Sequence, residues 1–300
     1  MPETDTTRAG DVALKWDVFV TPGIPSITSE LAPGTKERLW PPMSSTLIYG
    51  KRDAVLVDAF ITIEQAGALA NWVAASGKNL TAIYATHGHG DHFFGASTIL
   101  ERFPRARFVA TPDVVKVMSQ QASPQFLASF WNARFPNQIS GHLVIADELN
   151  GNVIDLEGND LVAVPLGHTD IENTTCLHVP SIGLVAAGDA VYNGVHLHLA
   201  ESNPHTRLEW IAALDRIEAL HPGAVIAGHK CVENDDSQRI IEETRQYIRD
   251  FERLAAASTT ARELFDKMLD IYPDRINPGA LWSSARDVMA GSFVEPRSSM

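Results

Sequence analysis

The sequence is short of cysteine, of positive charge and of long apolar runs. Of its 300 residues, only Cys176 and Cys231 are cysteines. Two thiols make no disulfide framework, so a stapled secreted scaffold is excluded and a reducing compartment is the simplest reading. No stretch approaches the ~20 consecutive apolar residues that a helical membrane span needs. The opening "MPETDTTRAGD" is polar and acidic and lacks the basic segment and apolar core of a signal peptide, so a cytoplasmic protein is expected. Lys and Arg number 24 against 37 Asp and Glu, a formal net charge of -13. Such a surface repels phosphate backbones and anionic membranes, which disfavours nucleic acid and lipid as partners and leaves a small-molecule substrate. Linker-like Ser/Gly or charged runs are missing as well, so residues 1–300 read as one domain. Its assembly state stays open, a homodimer included.

What is present is an alternation of short apolar runs and helical patterns. Residues 1 to about 45 are rich in Pro and Gly and hold short strands but no long element. "STLIYGKRDAVLVDAF" reads as a hairpin around "GKRD". "IEQAGALANWVAAS" has apolar residues at helical spacing and is closed by Gly77. "LTAIYAT", "ARFVATP", "LVAVPLG", the two runs around "PSIG", and "GAVIAG" are strand candidates. "FFGASTILERF", "DVVKVMSQQA" and "TRLEWIAALDRIEAL" are helix candidates. Residues 124–140 form an aromatic, irregular or helical excursion, and 235–292 read as helices only, broken near "YPDRINPG". Mixed strands and helices of this kind predict an α/β layered domain, with a core at about 45–231 and a helical C-terminal extension at 235–292 packed on it.

The chemistry lies at strand ends. "THGHGDH" crowds His87, His89, Asp91 and His92 into seven residues. Three further apolar runs stop at His168, Asp189 and His229. Sites in α/β proteins gather at the C-terminal ends of strands, so these seven side chains are expected to converge. Residues two apart in an extended segment point the same way, which aims His87 and His89 at one metal. Asp91 and His92 follow the turn into a helix and face a second. Imidazole and carboxylate without thiolate suit zinc, and also iron, manganese or cobalt. A single histidine at 168 or 229 would by itself be a surface or structural residue. Burying the whole cluster without a metal would strand several polar groups.

HxHxDH followed by a strand-end His, a strand-end Asp and a last His resembles the metallo-β-lactamase superfamily over roughly residues 45–231. The resemblance implies a four-layer αβ/βα sandwich with a metal site at one edge. It implies two zinc ions, with iron or manganese as alternatives. One would be held by His87, His89 and His168, the other by Asp91, His92 and His229. Asp189 and a hydroxide would bridge them, and Asp58 would support the site from behind by orienting a ligand imidazole. Tyr192, three residues past Asp189, matches a tyrosine that faces substrate in the N-acyl homoserine lactonases of the superfamily. Hydrolysis by the bridging hydroxide follows, with Asp91 as proton shuttle and Tyr192 as donor to the developing oxyanion.

A small carboxylic ester or lactone is the expected substrate. Asp189, at a position where true metallo-β-lactamases often carry cysteine, counts against a dedicated β-lactamase. Glyoxalase II shares the ligand set and keeps thioester hydrolysis open, though the C-terminal segment offers no basic cluster for glutathione. An iron-dependent dioxygenase or a metal-binding ligand sensor are the non-hydrolytic alternatives. His196 and His198 either line the pocket mouth or belong to a polar loop. Phe126, Phe130 and Trp131 either supply an apolar acyl pocket or pack core.

Overall fold

The computed structural model describes residues 13–291. The acidic N-terminal segment read above lies outside the described residues, as does residue 292.

The described residues form thirteen strands: β1 (Lys15–Thr21), β2 (Ile24–Ser26), β3 (Arg38–Trp40), β4 (Met43–Tyr49), β5 (Asp53–Val57), β6 (Asn79–Tyr84), β7 (Arg107–Ala110), β8 (Asp147–Glu148), β9 (Val153–Leu156), β10 (Asn159–Gly167), β11 (Thr174–Val179), β12 (Leu184–Asn193) and β13 (Ala224–Lys230). One sheet runs β1-β4-β5-β6-β7-β8 and the second β13-β12-β11-β10-β9; β2 and β3 form a separate ribbon.

Period-two patterning explains how the layers stack. In β5, Ala54 and Leu56 pack towards the helices, whereas Val55 and Val57 join the layer between the sheets. In β12, Val185 and Ala187 face helices, whereas Leu184 and Ala186 meet the opposite sheet. The middle layer thus unites Ile48, Tyr84 and Val109 of the first sheet with Leu177 and Ile226 of the second. Helices Ile63–Ala75, Ala96–Arg102 and Pro112–Gln121 cover the first sheet, and Pro204–Glu218 and Arg239–Ala256 the second. The result is the four-layer αβ/βα sandwich. Helices Ala261–Ile271 and Pro278–Met289 add Phe265, Met268 and Leu281 to the second outer core, so the helical extension is packed on the sandwich.

Local chemistry accounts for the element starts. Thr62 caps the helix Ile63–Ala75 with a capping box closed by Gln65, and Asn203 does the same for Pro204–Glu218 with Thr206. Some elements differ from the sequence reading. β1 is a full seven-residue strand paired along β4, because it precedes the Pro/Gly-rich part of the N-terminal region. The predicted helix after the histidine cluster is split in two, Gly90–Phe93 and Ala96–Arg102. Gly95 makes this break a close contact, since a Cβ there would lie 2.1 Å from the Ala59 carbonyl oxygen. Residues 124–134 are helical, with a π-helical turn at Leu127–Trp131.

Candidate metal centre

The ends of β5, β6, β10, β12 and β13 meet at one edge of the sandwich. After β5 the chain places Asp58 in the left-handed region, φ 64°. After β6 it delivers Thr86, His87 and His89, and His89 is the N-cap of the short helix holding Asp91 and His92. Asp189 and His229 lie within β12 and β13. These strands run on past the positions where their apolar patterns stop. A backbone irregularity at Gly188, φ 52°, turns Asp189 into the site. Gly228 makes room for it, since a Cβ at 228 would lie 2.2 Å from Asp189 Oδ1.

Each histidine has one ring nitrogen tied outward, which leaves the other facing the centre. The Thr86 hydroxyl donates to Asp58 (2.9 Å) and so receives the Nδ1 proton of His87 at 3.0 Å, leaving the His87 Nε2 lone pair inward. His92 Nδ1 donates to Asp58 Oδ2 at 2.9 Å, and His229 Nδ1 to the carbonyl of Pro42 at 3.0 Å. His89 is reversed: its Nε2 faces Glu201 at 3.3 Å, and its Nδ1 points to Asp170. Outward partners of this kind fix tautomer and ring orientation at metal sites.

The inward atoms converge in three overlapping groups: His87, His89 and Asp170; His87, His92 and Asp189; and Asp91, His92 and His229. In each group the ligand atoms all lie within 4.8 Å of one another. Asp189 bridges the middle of the set, with Oδ1 3.3 Å from His92 Nε2 and Oδ2 3.2 Å from His229 Nε2. Four buried atoms here have no hydrogen-bond partner among the described residues: His87 Nε2, His92 Nε2, Asp170 Oδ2 and Asp189 Oδ1. Leaving them so costs ~1–3 kcal/mol each. Coordinating a cation would pair these atoms and remove that cost. The donor set therefore fits a metal.

Electrostatics agree. Burial lowers His87 to about 4, so it is neutral and free to ligate. Burial works against a charge on His229, but Asp189 and Asp91 raise it to about 10. Burial would likewise raise Asp189, yet His229 and His92 hold it well below the usual carboxylate range. The carboxylates draw positive charge inward, which protons on imidazole or a cation can supply.

His168 is placed differently from the expectation. It stands outside all three groups, half-buried, with its Nδ1 donating to the Thr169 carbonyl at 2.9 Å. It lines an adjoining cavity with Ile171 and Glu172. Gly167, φ 85°, ends β10 on an irregular pairing with β11, and this turn carries residue 168 aside and residue 170 inward. Asp170 is buried, with the Thr169 hydroxyl donating to its Oδ1 at 2.9 Å. Asp170 stands two residues past the strand end at His168, outside the strand-end positions that the apolar runs mark. "HTD" held the signal.

The other expected residues sit as follows. Asp58 braces His92 and Thr86 directly behind the ligands. Tyr192 is buried, stacked on His229, and its hydroxyl donates to Asp189 Oδ2 at 2.7 Å. Phe126, Phe130 and Trp131 line the cavity above the ligands, and Trp131 is also core. His196 and His198 line the same cavity, His198 with its Nε2 3.5 Å from Glu201. Two supporting groups carried no sequence signal: Trp40, whose indole N–H donates to Asp91 Oδ2 at 3.0 Å, and Glu201 beside His89.

The family model for the metallo-beta-lactamase superfamily matches residues 40–229. The chain belongs to that superfamily. Solved structures repeat the fold at low identity. A metallo-beta-lactamase family protein from Thermus thermophilus is 19% identical, with 92% of this chain and 93% of that one covered at a TM-score of 0.61. A beta-lactamase domain protein from Burkholderia ambifaria is 16% identical over 96% and 90%, again at 0.61. A metallo-beta-lactamase from Pontibacter korlensis is 15% identical over 79% and 99%, at 0.54. No curated protein matches the chain. Superfamily membership and the His/Asp cluster together support a metal-dependent hydrolase. Among the described residues no helix is long and apolar enough to cross a membrane.

Proposed function

We propose that this superfamily member is a dinuclear metal-dependent hydrolase of small carboxylic esters or lactones. One observation carries the reading. Imidazoles with their outer nitrogens tied back, and carboxylates between them, form the floor of a cavity walled by Trp40, Phe126, Phe130 and Trp131.

His87, His89 and Asp170 would hold one metal, and Asp91, His92 and His229 the other, with Asp189 between them. Two zinc ions suit these donors; iron or manganese are the alternatives. Bound metal supplies a water activated near neutral pH and a Lewis acid for the substrate carbonyl. The chain does the rest. Asp58 and Pro42 O hold His92 and His229 in the ligating tautomer. Trp40 fixes Asp91, whose carboxylate would take and return a proton during hydrolysis. Tyr192 holds Asp189. The aromatic wall excludes water and takes an apolar acyl or ring portion, which favours an uncharged ester over a glutathione conjugate.

The test is a panel of lactones, aryl esters, thioesters and β-lactams run on metal-quantified protein. Turnover concentrated on lactones or esters at two metals per chain is the expected result. Two bound metals with no hydrolysis anywhere on the panel would sink the reading.

One observation favours a second reading. His87, His89 and Asp170 make a two-histidine, one-carboxylate set, the type found in iron(II) oxygenases. That reading requires iron in the protein as purified and oxygen consumption during turnover.

A further inference from the structure

The proposed chemistry leaves a group of arginines beside the metal centre unused. Arg38 lines the metal-facing cavity and also the adjoining one, where Arg134 and Arg286 join it. Trp40, Phe126 and Phe130 belong to both walls, so the two spaces abut. Three guanidiniums in one wall stand out in a chain with 24 cationic against 37 acidic residues. Their counter-charges are few. Glu30 lies in the same wall and is ion-paired to Arg286. Arg38 donates from Nη1 to the Ser283 hydroxyl at 2.7 Å, and Arg134 from Nη1 to the Phe130 carbonyl at 3.2 Å. Both acceptors are neutral, and neither arginine is ion-paired among the described residues.

Both side chains are held in place. Arg38 stands in β3 and spans to Ser283 on the helix Pro278–Met289. The Arg134 guanidinium lies over the Phe130 ring, 3.6 Å from its centre, and Phe130 stacks in turn on Phe126 at 5.1 Å between centroids. Both rings line the cavities, so the stack delivers the guanidinium to the wall. Both arginines are half-buried. Burial, with the charge of Arg134, lowers Arg38 to about 10, which leaves it cationic at neutral pH. Two like charges in a half-buried wall without a counter-charge cost stability, and an anion bound beside them removes that cost. Glu172, Glu201 and Asp287 line the adjoining cavity too, Glu201 being engaged with His89 and His198. These carboxylates disfavour a dianion, so the arginines suit a single negative charge.

We infer that Arg38 and Arg134 form a specificity site for a substrate that carries one carboxylate at the end remote from the bond that is cut. A guanidinium presents paired N–H donors that match a planar carboxylate. The ester portion against the aromatic wall stays uncharged, and the charge belongs to the other end. A half-ester of a dicarboxylic acid is the simplest molecule of this class. The inference rests on the reading of the cavity as the substrate pocket.

The experiment uses full-length, metal-loaded protein and calorimetric titration with two probes. Hexane-1-sulfonate stands in for the carboxylate, because a sulfonate is a poor metal ligand; hexanamide is the neutral comparison. Wild type should bind the sulfonate about tenfold more tightly than the amide, the worth of a hydrogen bond to a charged group. That advantage should shrink as salt is raised. Arg38→Met and Arg134→Met should each lose most of it while keeping their metal and their affinity for hexanamide. Arg38→Lys, which keeps the charge and loses the fork, should retain part of it. Equal binding of the two probes by wild type would overturn the inference, whether or not a variant folds. A preference that survives in both methionine variants would overturn it as well and assign the anion to the metals. A sulfonate preference with no turnover anywhere on the ester panel would sink the hydrolase reading and leave the site standing. Turnover with no preference would do the reverse.

Discussion

Asp170 Oδ2 lies 2.8 Å from His89 Nδ1 and yet is not hydrogen-bonded to it. Two atoms held this close without hydrogen-bond angles are disposed as co-ligands of one ion. His87 Nε2, 3.6 Å from the same oxygen, completes the group. The groups that could hold a metal in this chain thus include Asp170, where the superfamily resemblance implied His168.

That substitution of roles is open to a direct comparison. Asp170→Ala removes a buried donor from the centre and should cost about one metal equivalent together with ~10²-fold or more of turnover. His168→Ala removes an imidazole tied to its neighbour's carbonyl and should keep both metals. Elemental analysis after dialysis reads the difference. Full metal in Asp170→Ala and loss in His168→Ala would restore the histidine as ligand.

How much of this the sequence could carry depends on the kind of signal. Period-two alternation in β5 and β12 marks buried strands, and the strand-end positions of His87, Asp189 and His229 mark the site edge. Both are local patterns. The inward placement of Asp170 and the outward one of His168 follow a positive φ at Gly167, which moves the next side chains by a turn no apolar pattern records. Trp40 reaches Asp91 from 51 positions away, and Glu201 reaches His89 from 112. Such contacts come from the packing of β3 and of the segment after β12 against the site, which local spacing does not encode.

Asp58 gives a second prediction. It accepts from His92 Nδ1, the Thr86 N–H and the Thr86 hydroxyl, and it sits at φ 64°. Asparagine tolerates that backbone region and keeps the size, so Asp58→Asn isolates the charge and the lost acceptor without backbone strain. Metal affinity should fall ~10–100-fold, as for other outer partners of ligating histidines, with the fold retained. Unchanged affinity in a metal-competition titration would deny Asp58 that role.

The pH dependence of chelated protein follows from the histidines. His229 is raised to about 10, and His89 and His92 well above their usual value, because the attraction of Asp189, Asp170 and their carboxylate neighbours outweighs burial. A group raised in the folded state contributes stability that is complete below its unfolded value, near 6.5, and is lost as pH rises through the folded value. Metal-free protein should therefore lose stability between about pH 6.5 and 10. His87, lowered to about 4, acts in the opposite sense only as pH falls. Metal needs those imidazoles deprotonated and binds more tightly across the same window. The gap in Tm between zinc-loaded and EDTA-treated protein should widen from pH 6.5 to 9. A constant gap would mean that the imidazoles carry no extra protons in the metal-free fold.

Tyr192 separates two roles for one hydroxyl. Its proton is directed to Asp189 Oδ2 at 2.7 Å, and its ring stacks on His229 at 5.6 Å between centroids. A tyrosine that holds the bridging carboxylate acts through metal affinity, so Tyr192→Phe should bind metal several-fold more weakly and recover most of its turnover when zinc is in excess. A tyrosine that donates to the developing oxyanion acts on the reaction itself, and losing such a donor typically costs 10²–10³ in kcat with metal saturating. The hydrogen bond to Asp189 favours the first outcome. Kinetics of Tyr192→Phe on the best panel substrate, measured across a zinc titration, decide it: recovery with zinc assigns the residue to the carboxylate, and a deficit of two orders of magnitude that zinc leaves untouched assigns it to the substrate.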